Sequence, residues 1–454
     1  MNAPQLKRGP GSAPSPGGRF QAWDSLDAFF ESTDDGVLYV GHASILVRLS
    51  GKTFLFDPVG YGSPYFDCWV FFPQQVMDPR LLAVDAVIVS HCHQDHFDTG
   101  FLKLFPVSTP VYIVEGRPMF SQMCAEAGIA VTELPAHRLT TIADGVEIYA
   151  ILHETNGIDA SMVIRNDNLS VYHGNDNYPS VEALSALKRA VGRIDVGCVP
   201  FAYIHWYPFL LEGVDPDWRD REARRLMDQY LDKGVEQAEI LDAEVVVPFG
   251  SNLVYYDDAN SVMNRAVLSP LDFVAYARSK PARDPERYRP MFAGDIVVKP
   301  RPDDGPGVLD ITCKPRDPAA FRMAMQSALL ANPSRPTNPP AEAVAAAAPR
   351  DLSWLEERLK RHSAGTYDHT IRLEGPGEPP LKIEVDLKTQ KAAVVQDWTR
   401  GAPYHHFRVE AEPMLRWLNQ EVTLEGVIGM RRFHIERVPE RYDPEILAVI
   451  NGAL

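Results

Sequence analysis

The chain has 454 residues, 45% apolar and 23% charged, with 45 Lys and Arg against 61 Asp and Glu for a formal charge of −16. That length suggests two or three domains at about 100–200 residues each. The acidic balance excludes a general nucleic-acid binder, which needs a basic surface for phosphates.

The opening "MNAPQLKRGPGSAPSPGGRF" has no apolar signal core. It reads as a disordered tail and lead-in over residues 1–35. From Gly36, "GVLYVGHASILVRLSGKTFLFDPV" predicts a hairpin of two β-rich runs around the turn "SGK", the second ending at Asp57-Pro58. "LLAVDAVIVSH" is a short buried strand, and "TPVYIVEG", "AVTELPA" and "GVEIYAILHE" continue as strands. "SMVIRNDNLSVYHGNDN" is a second hairpin turning at "RNDN". "PSVEALSALKRAVG" has helical spacing, with Ser180 as N-cap and Glu182 in the first turn. "DVGCVPF" and "AEVVVPFG" are buried strands on either side of a long amphipathic helix, "DPDWRDREARRLMDQYLDKGVEQAEIL". Strands alternating with helices predict an α/β sandwich of mixed sheets.

Composition shifts near Lys299. Residues 300–350 read as a Pro-rich linker region, with 332–350 its clearest stretch, serving as a tether. After it, "DLSWLEERLKRH" predicts a helix capped by Asp351, and "YDHTIRLEG", "LKIEVDLKT" and "KAAVVQDW" an antiparallel sheet. Trp354, Trp398 and Trp417 are expected in the core of that domain, and His405-His406 as a surface or strand feature. The expected organisation is a tail (1–35), a catalytic α/β domain (36–299), the linker (300–350) and a small α+β domain (351–454). No run approaches the roughly 18 apolar residues of a membrane span. The five cysteines are scattered, with no C-x-x-C pair, which fits a reduced, cytoplasmic setting.

The chemistry concentrates in "VIVSHCHQDHFDTG". A buried strand ends directly in His91, His93, Asp95 and His96, and loops at strand ends hold functional groups on a rigid scaffold. Imidazole with carboxylate suits Zn, Fe, Mn or Ni rather than Mg or Ca. His91 and His93 would serve one ion, Asp95 and His96 a second. "YAILHETNG" offers His153 and Glu154 at another strand end; their side chains alternate in an extended strand, so one of the two faces the metal.

This His-x-His-x-Asp-His pattern resembles the signature of the metallo-β-lactamase superfamily, and "YVGHASILVRLSGKTFLFDPV" is similar to the entry segment of its lactonase and phospholipase D branch. The resemblance implies an αβ/βα four-layer sandwich with metals at the strand ends, here with a small C-terminal α+β domain. It places Asp57 and His42 as supporting residues behind the metals, Asp176 as the bridging carboxylate, and His153 or Glu154 at the third histidine position. A last histidine is implied near "VVVPFGSN", where this chain has Phe249, Gly250, Ser251 and Asn252. His205 in "PFAYIHWYPF" is the nearby candidate for that place, or else a pocket residue together with Tyr203, Trp206, Tyr207 and Asn252.

"VPFAYIHWYPF", "VVVPFGSNLVYYDDANSVMN" and "GVIGMRRFHIERVPERYDPEIL" together resemble the metal-binding part of the CMP-N-acetylneuraminate hydroxylases. That group carries a Rieske module, which needs Cys-x-His and Cys-x-x-His pairs. The sequence shows no such pairs, no flavin or nucleotide fingerprint, and too few residues before Gly36 for the module. Two functions follow. The first is a non-heme iron oxygenase (a hydroxylase) using one or two Fe ions, a small organic substrate and a separate electron donor. The second is a Zn or Mn metallo-hydrolase acting on an ester, lactone, phosphodiester or amide through metal-activated water.

Overall fold

The computed structural model describes residues 23–60, 64–154, 158–251, 253–255, 263–281, 284–301, 307–313, 316–331, 338–349, 351–361, 364–440, 446 and 449–450. Of the tail and lead-in expected over 1–35, residues 1–22 lie outside them, as does Asn252. Two sheets stack face to face. The first has eight strands in the order Asp310–Thr312, Ile296–Lys299, Asp35–Gly41, Ser44–Leu49, Lys52–Phe56, Ala86–Val89, Val111–Val114 and Thr132–Leu134. The second has six: Val245–Phe249, Val196–Pro200, Ser170–His173, Ala160–Arg165, Val146–Leu152 and Thr140–Ala143.

Alternation builds the layers. Val37, Tyr39, Ile45 and Val47 point between the sheets and meet Ile148, Met162 and Val171 of the other sheet. Their neighbours Leu38, Val40, Leu46 and Leu55 point outward, under Phe101 and Phe120 of the helices Thr99–Leu102 and Pro118–Glu126. On the far side, Leu184 and Leu187 of the helix Val181–Val191, and Ala238 of the helix Pro216–Leu241, cover the second sheet. Both faces of both sheets are therefore buried, which is why the strands read as continuous apolar runs. The result is the expected αβ/βα four-layer sandwich.

Three local expectations change. The front segment is three strands, because the chain also turns at His42-Ala43, where His42 takes a left-handed φ of 49°. The lead-in contains a helix, Trp23–Glu31, whose Leu26 and Phe29 are buried against the first sheet. Residues 302–306, 314–315, 332–337 and 350 of the expected linker lie outside the described residues, but the rest includes regular structure. Asp310–Thr312 adds an edge strand to the first sheet, Pro318–Ala331 is a helix, and Ala341–Ala346 forms a further helical segment with Val344 fully buried. Alanine's high helix propensity in "AEAVAAAA" is the signal for that last piece.

The C-terminal part is a five-stranded sheet in the order Lys391–Val394, Leu381–Asp386, Thr370–Gly375, Tyr404–Val409 and Phe433–Val438. The strand Tyr404–Val409 runs parallel to Thr370–Gly375, and His405 and His406 are buried within it. Trp417 is fully buried and Trp354 packs edge-on against it. The core of this domain continues into the sandwich through Tyr65, Trp69, Trp206, Phe209 and Leu210. Backbone bonds close the seam: the Glu212 N–H donates to Ile435 O, and the Ile435 N–H to Leu210 O, both at 2.9 Å.

Candidate metal centre

The parallel strands Lys52–Phe56 and Ala86–Val89 pair Phe56 with Ile88 and end together. Just beyond them stand Asp57 and Ser90-His91. From the second sheet, Ser170–His173 runs out towards Asp176, and Val245–Phe249 towards Gly250. The crevice at the carboxyl ends of parallel strands is where α/β sheets place ligands.

Two groups of ligand atoms converge there: His91, His93 and Asp176, and His42, Asp95 and His96. Within each group all atoms lie within 4.8 Å of one another. His91 Nε2 and His93 Nδ1 are 2.6 Å apart. His96 Nε2 has no hydrogen-bond partner and sits 3.5 Å from Asp95 Oδ2 and 3.6 Å from Asp176 Oδ2, so Asp176 stands between the groups. Asp57 is fully buried, accepts from the Ser90 N–H at 2.7 Å, and lies 2.8 Å from His96 Nδ1, which fixes that ring.

The electrostatics suit a cation. Burial raises the carboxyl of Asp95, but His96 and His42 outweigh it and hold Asp95 well below the usual range. Burial works against the Asp57 carboxylate too, but His96, His173 and Ser90 outweigh it and lower that group. Burial, reinforced by the charge of His96 and His93, pushes His91 well below its ordinary value and keeps it neutral, the form that ligates. His96 goes the other way: burial would lower it, but Asp176 and Asp95 overcome that and raise it well above. The Asp176 and Asp95 carboxylates thus recruit a proton onto a ring whose Nε2 has no hydrogen-bond partner. That is the behaviour of a donor set built for a metal ion, whose binding would release the proton.

Each sequence candidate can now be placed. His91, His93, Asp95, His96 and Asp176 come together. Asp57 backs them, and His42 stands level with Asp95 and His96 rather than behind them. His153 is half-buried and, among the described residues, belongs to neither group. Glu154 turns away: its carboxylate accepts from the Ser180 N–H at 3.0 Å and from the Ser180 hydroxyl, at the start of the helix Val181–Val191. His205 lies outside both groups too. Its Nδ1 accepts from the Tyr207 N–H at 3.1 Å, and burial with Arg431 and Arg437 pushes its pKa down to about 3. Trp206 is buried against Phe433, and Tyr207 lies under Arg437, so both belong to the inter-domain seam. Tyr203 lines a small cavity with Phe209, Leu253 and Tyr255. Cys92, beside the site, is an inert thiol pushed up to about 12 by burial.

Two acids escaped the sequence. Asp159 is buried with Oδ1 3.5 Å from His91 Nε2. Its loop is held by Arg117, which donates to Ile158 O at 2.7 Å and to Ser90 O. Glu425, in the C-terminal helix Leu424–Met430, places Oε1 3.4 Å from His93 Nε2. "TNGIDA" is a signal for the first, as an acid beside a strand start. Nothing local marks the second.

Comparison with known proteins adds the family. Residues 36–209 match the β-lactamase superfamily domain model. Proteins named for a Rieske 2Fe-2S iron-sulfur centre, from Mycolicibacterium smegmatis and Mycobacterium tuberculosis, are each 26% identical, over 193 and 188 residues. Each match covers 39% of this chain and only 36% of the relative. Among solved structures, the diiron β-hydroxylase CmlA of Streptomyces venezuelae is 18% identical with a TM-score of 0.38, covering 55% of this chain and 52% of that one. An isothiocyanate hydrolase from Delia radicum gut bacteria is 16% identical with a TM-score of 0.39, covering 53% and 91%. Residues 36–209 thus carry a β-lactamase superfamily domain, with groups of His and Asp that could hold metal at its strand ends.

Proposed function

We propose that the protein is a non-heme iron oxygenase that hydroxylates a small organic substrate. The observation that carries this reading is the composition of the first group: two histidines and one carboxylate, His91, His93 and Asp176. Two histidines with one carboxylate and open positions is the donor set of Fe(II) oxygenases. Asp159 and Glu425 add carboxylates at its rim, facing His91 and His93. Iron held there would supply one-electron chemistry with O₂. The chain's own residues keep His91 neutral, fix His96 through Asp57, and bring the Tyr65 hydroxyl to 3.5 Å from Asp95 Oδ1.

Such chemistry needs electrons from elsewhere. The names of the mycobacterial relatives support a separate iron–sulfur donor of the Rieske type. The test is metal analysis of the chain prepared with and without air, followed by chemical reduction in the presence of O₂. Bound iron and O₂ uptake on reduction are expected. Stoichiometric zinc, with no iron uptake under reducing anaerobic conditions, would overturn the reading in favour of a hydrolase.

A further inference from the structure

The second group lacks the histidine that the resemblance implies after the strand Val245–Phe249. Gly250 stands there with a left-handed φ of 80°, and a Cβ on it would lie 3.6 Å from Asp176 Oδ1. The backbone is therefore aimed at the carboxylate between the two groups, but it carries no side chain. His42 comes into this region from the other sheet. It is 1% exposed, its Nε2 is 3.0 Å from Asp95 Oδ2, and its ring centroid is 5.4 Å from that of His96.

The two loops are bonded to each other. The Gly250 N–H donates to His42 O at 3.1 Å, and the Tyr39 hydroxyl donates to the same carbonyl at 2.6 Å. His42 holds a left-handed backbone, which costs a non-glycine residue on the order of 1 kcal/mol. This turn therefore spends stability to present an imidazole beside Asp95 and His96.

We propose that His42 takes the place of the histidine absent after Phe249, as a ligand to a second metal ion held with Asp95 and His96. The proposal rests on the metalloenzyme reading above, but not on iron or O₂. It makes the front turn, rather than the last strand of the second sheet, the source of the final donor.

Titration of the metal-free full chain with Co(II), read by visible absorption and by metal-to-protein ratio, tests it. The unaltered chain should take up two ions. His42→Asn, chosen because Asn tolerates a left-handed backbone, should keep one ion and bind the second more than about 100-fold more weakly. The retained ion shows that the variant is folded, and His42→Gln should behave the same way if the Asn variant does not fold. His93→Ala should lose the other ion and keep the one that depends on His42. A loss of only about 10–100-fold, the usual effect of removing an orienting hydrogen bond, would overturn the proposal. So would an unaltered chain that binds fewer than two ions. A zinc hydrolase with a His42-dependent second ion would sink the oxygenase reading alone. An iron oxygenase whose His42→Asn variant keeps both ions would sink this one alone.

Discussion

Glu154 and Asp159 lie on the same connection between strands and act at opposite ends of it. Glu154 serves the cap of a helix, whereas Asp159 faces His91. Glu154→Gln should leave the metal content unchanged. Asp159→Asn should lower the affinity of the His91 group, and an unchanged Co(II) affinity would remove Asp159 from the site. Asp57 acts through another residue. Asp57→Ala should weaken metal binding about 10–100-fold by freeing the His96 ring, while the stoichiometry at saturating metal stays that of the unaltered chain. The strand-end histidines were legible because clustering in sequence is itself the signal. Glu154 and Asp159 were not separable, because a strand's alternation stops at its end and the next few backbone angles decide which acid turns inward.

Elements were legible where a local rule governs them. Ser180 accepts from the Ala183 N–H at 3.1 Å, as its place before "VEALSAL" requires. Ser180→Ala should cost about 1 kcal/mol in urea unfolding, and it also deprives the Glu154 carboxylate of its hydroxyl donor. The turn at His42 was hidden because "VGHAS" carries no Asn-Gly or Pro signal and is buried throughout. The helix Leu424–Met430 was unreadable for a different reason: its place depends on a distant partner. Gly429 lies flat on Tyr65, where a Cβ would collide with Cε1 of the ring. Gly429→Ala must push the helix or the Tyr65 ring aside. It should destabilise the protein by about 1–3 kcal/mol, the usual cost of overpacking. Unchanged stability would mean that the ring moves aside freely.

Across the whole molecule, the seam between the sandwich and the C-terminal sheet should lose stability in acid. Burial, with His369 and Arg437 beside it, lowers His405 to about 3, and His405 Nδ1 is 2.7 Å from His369 Nε2. His205, across the seam, is lowered similarly by burial, Arg431 and Arg437. The folded pKa lies below the unfolded value of about 6.5. Between them the unfolded chain binds the extra proton, so stability is complete above about pH 6.5 and falls as the pH drops towards 3. His405 alone should remove about 2 kcal/mol by pH 5. Urea midpoints followed by tryptophan fluorescence should fall over this range, less steeply in His405→Gln. An identical slope in that variant would count against the assignment.

Glu425 also has a meaning in time. His93 and the acid that faces it are separated by 332 positions. At about 5–20 residues per second, synthesis of that interval takes roughly 17–66 s. During translation the histidine cluster therefore emerges tens of seconds before its C-terminal wall exists. The imidazoles are therefore made well before Glu425, the acid that comes to face one of them. The wall that Glu425 contributes to the site is thus the last part of it to be synthesised.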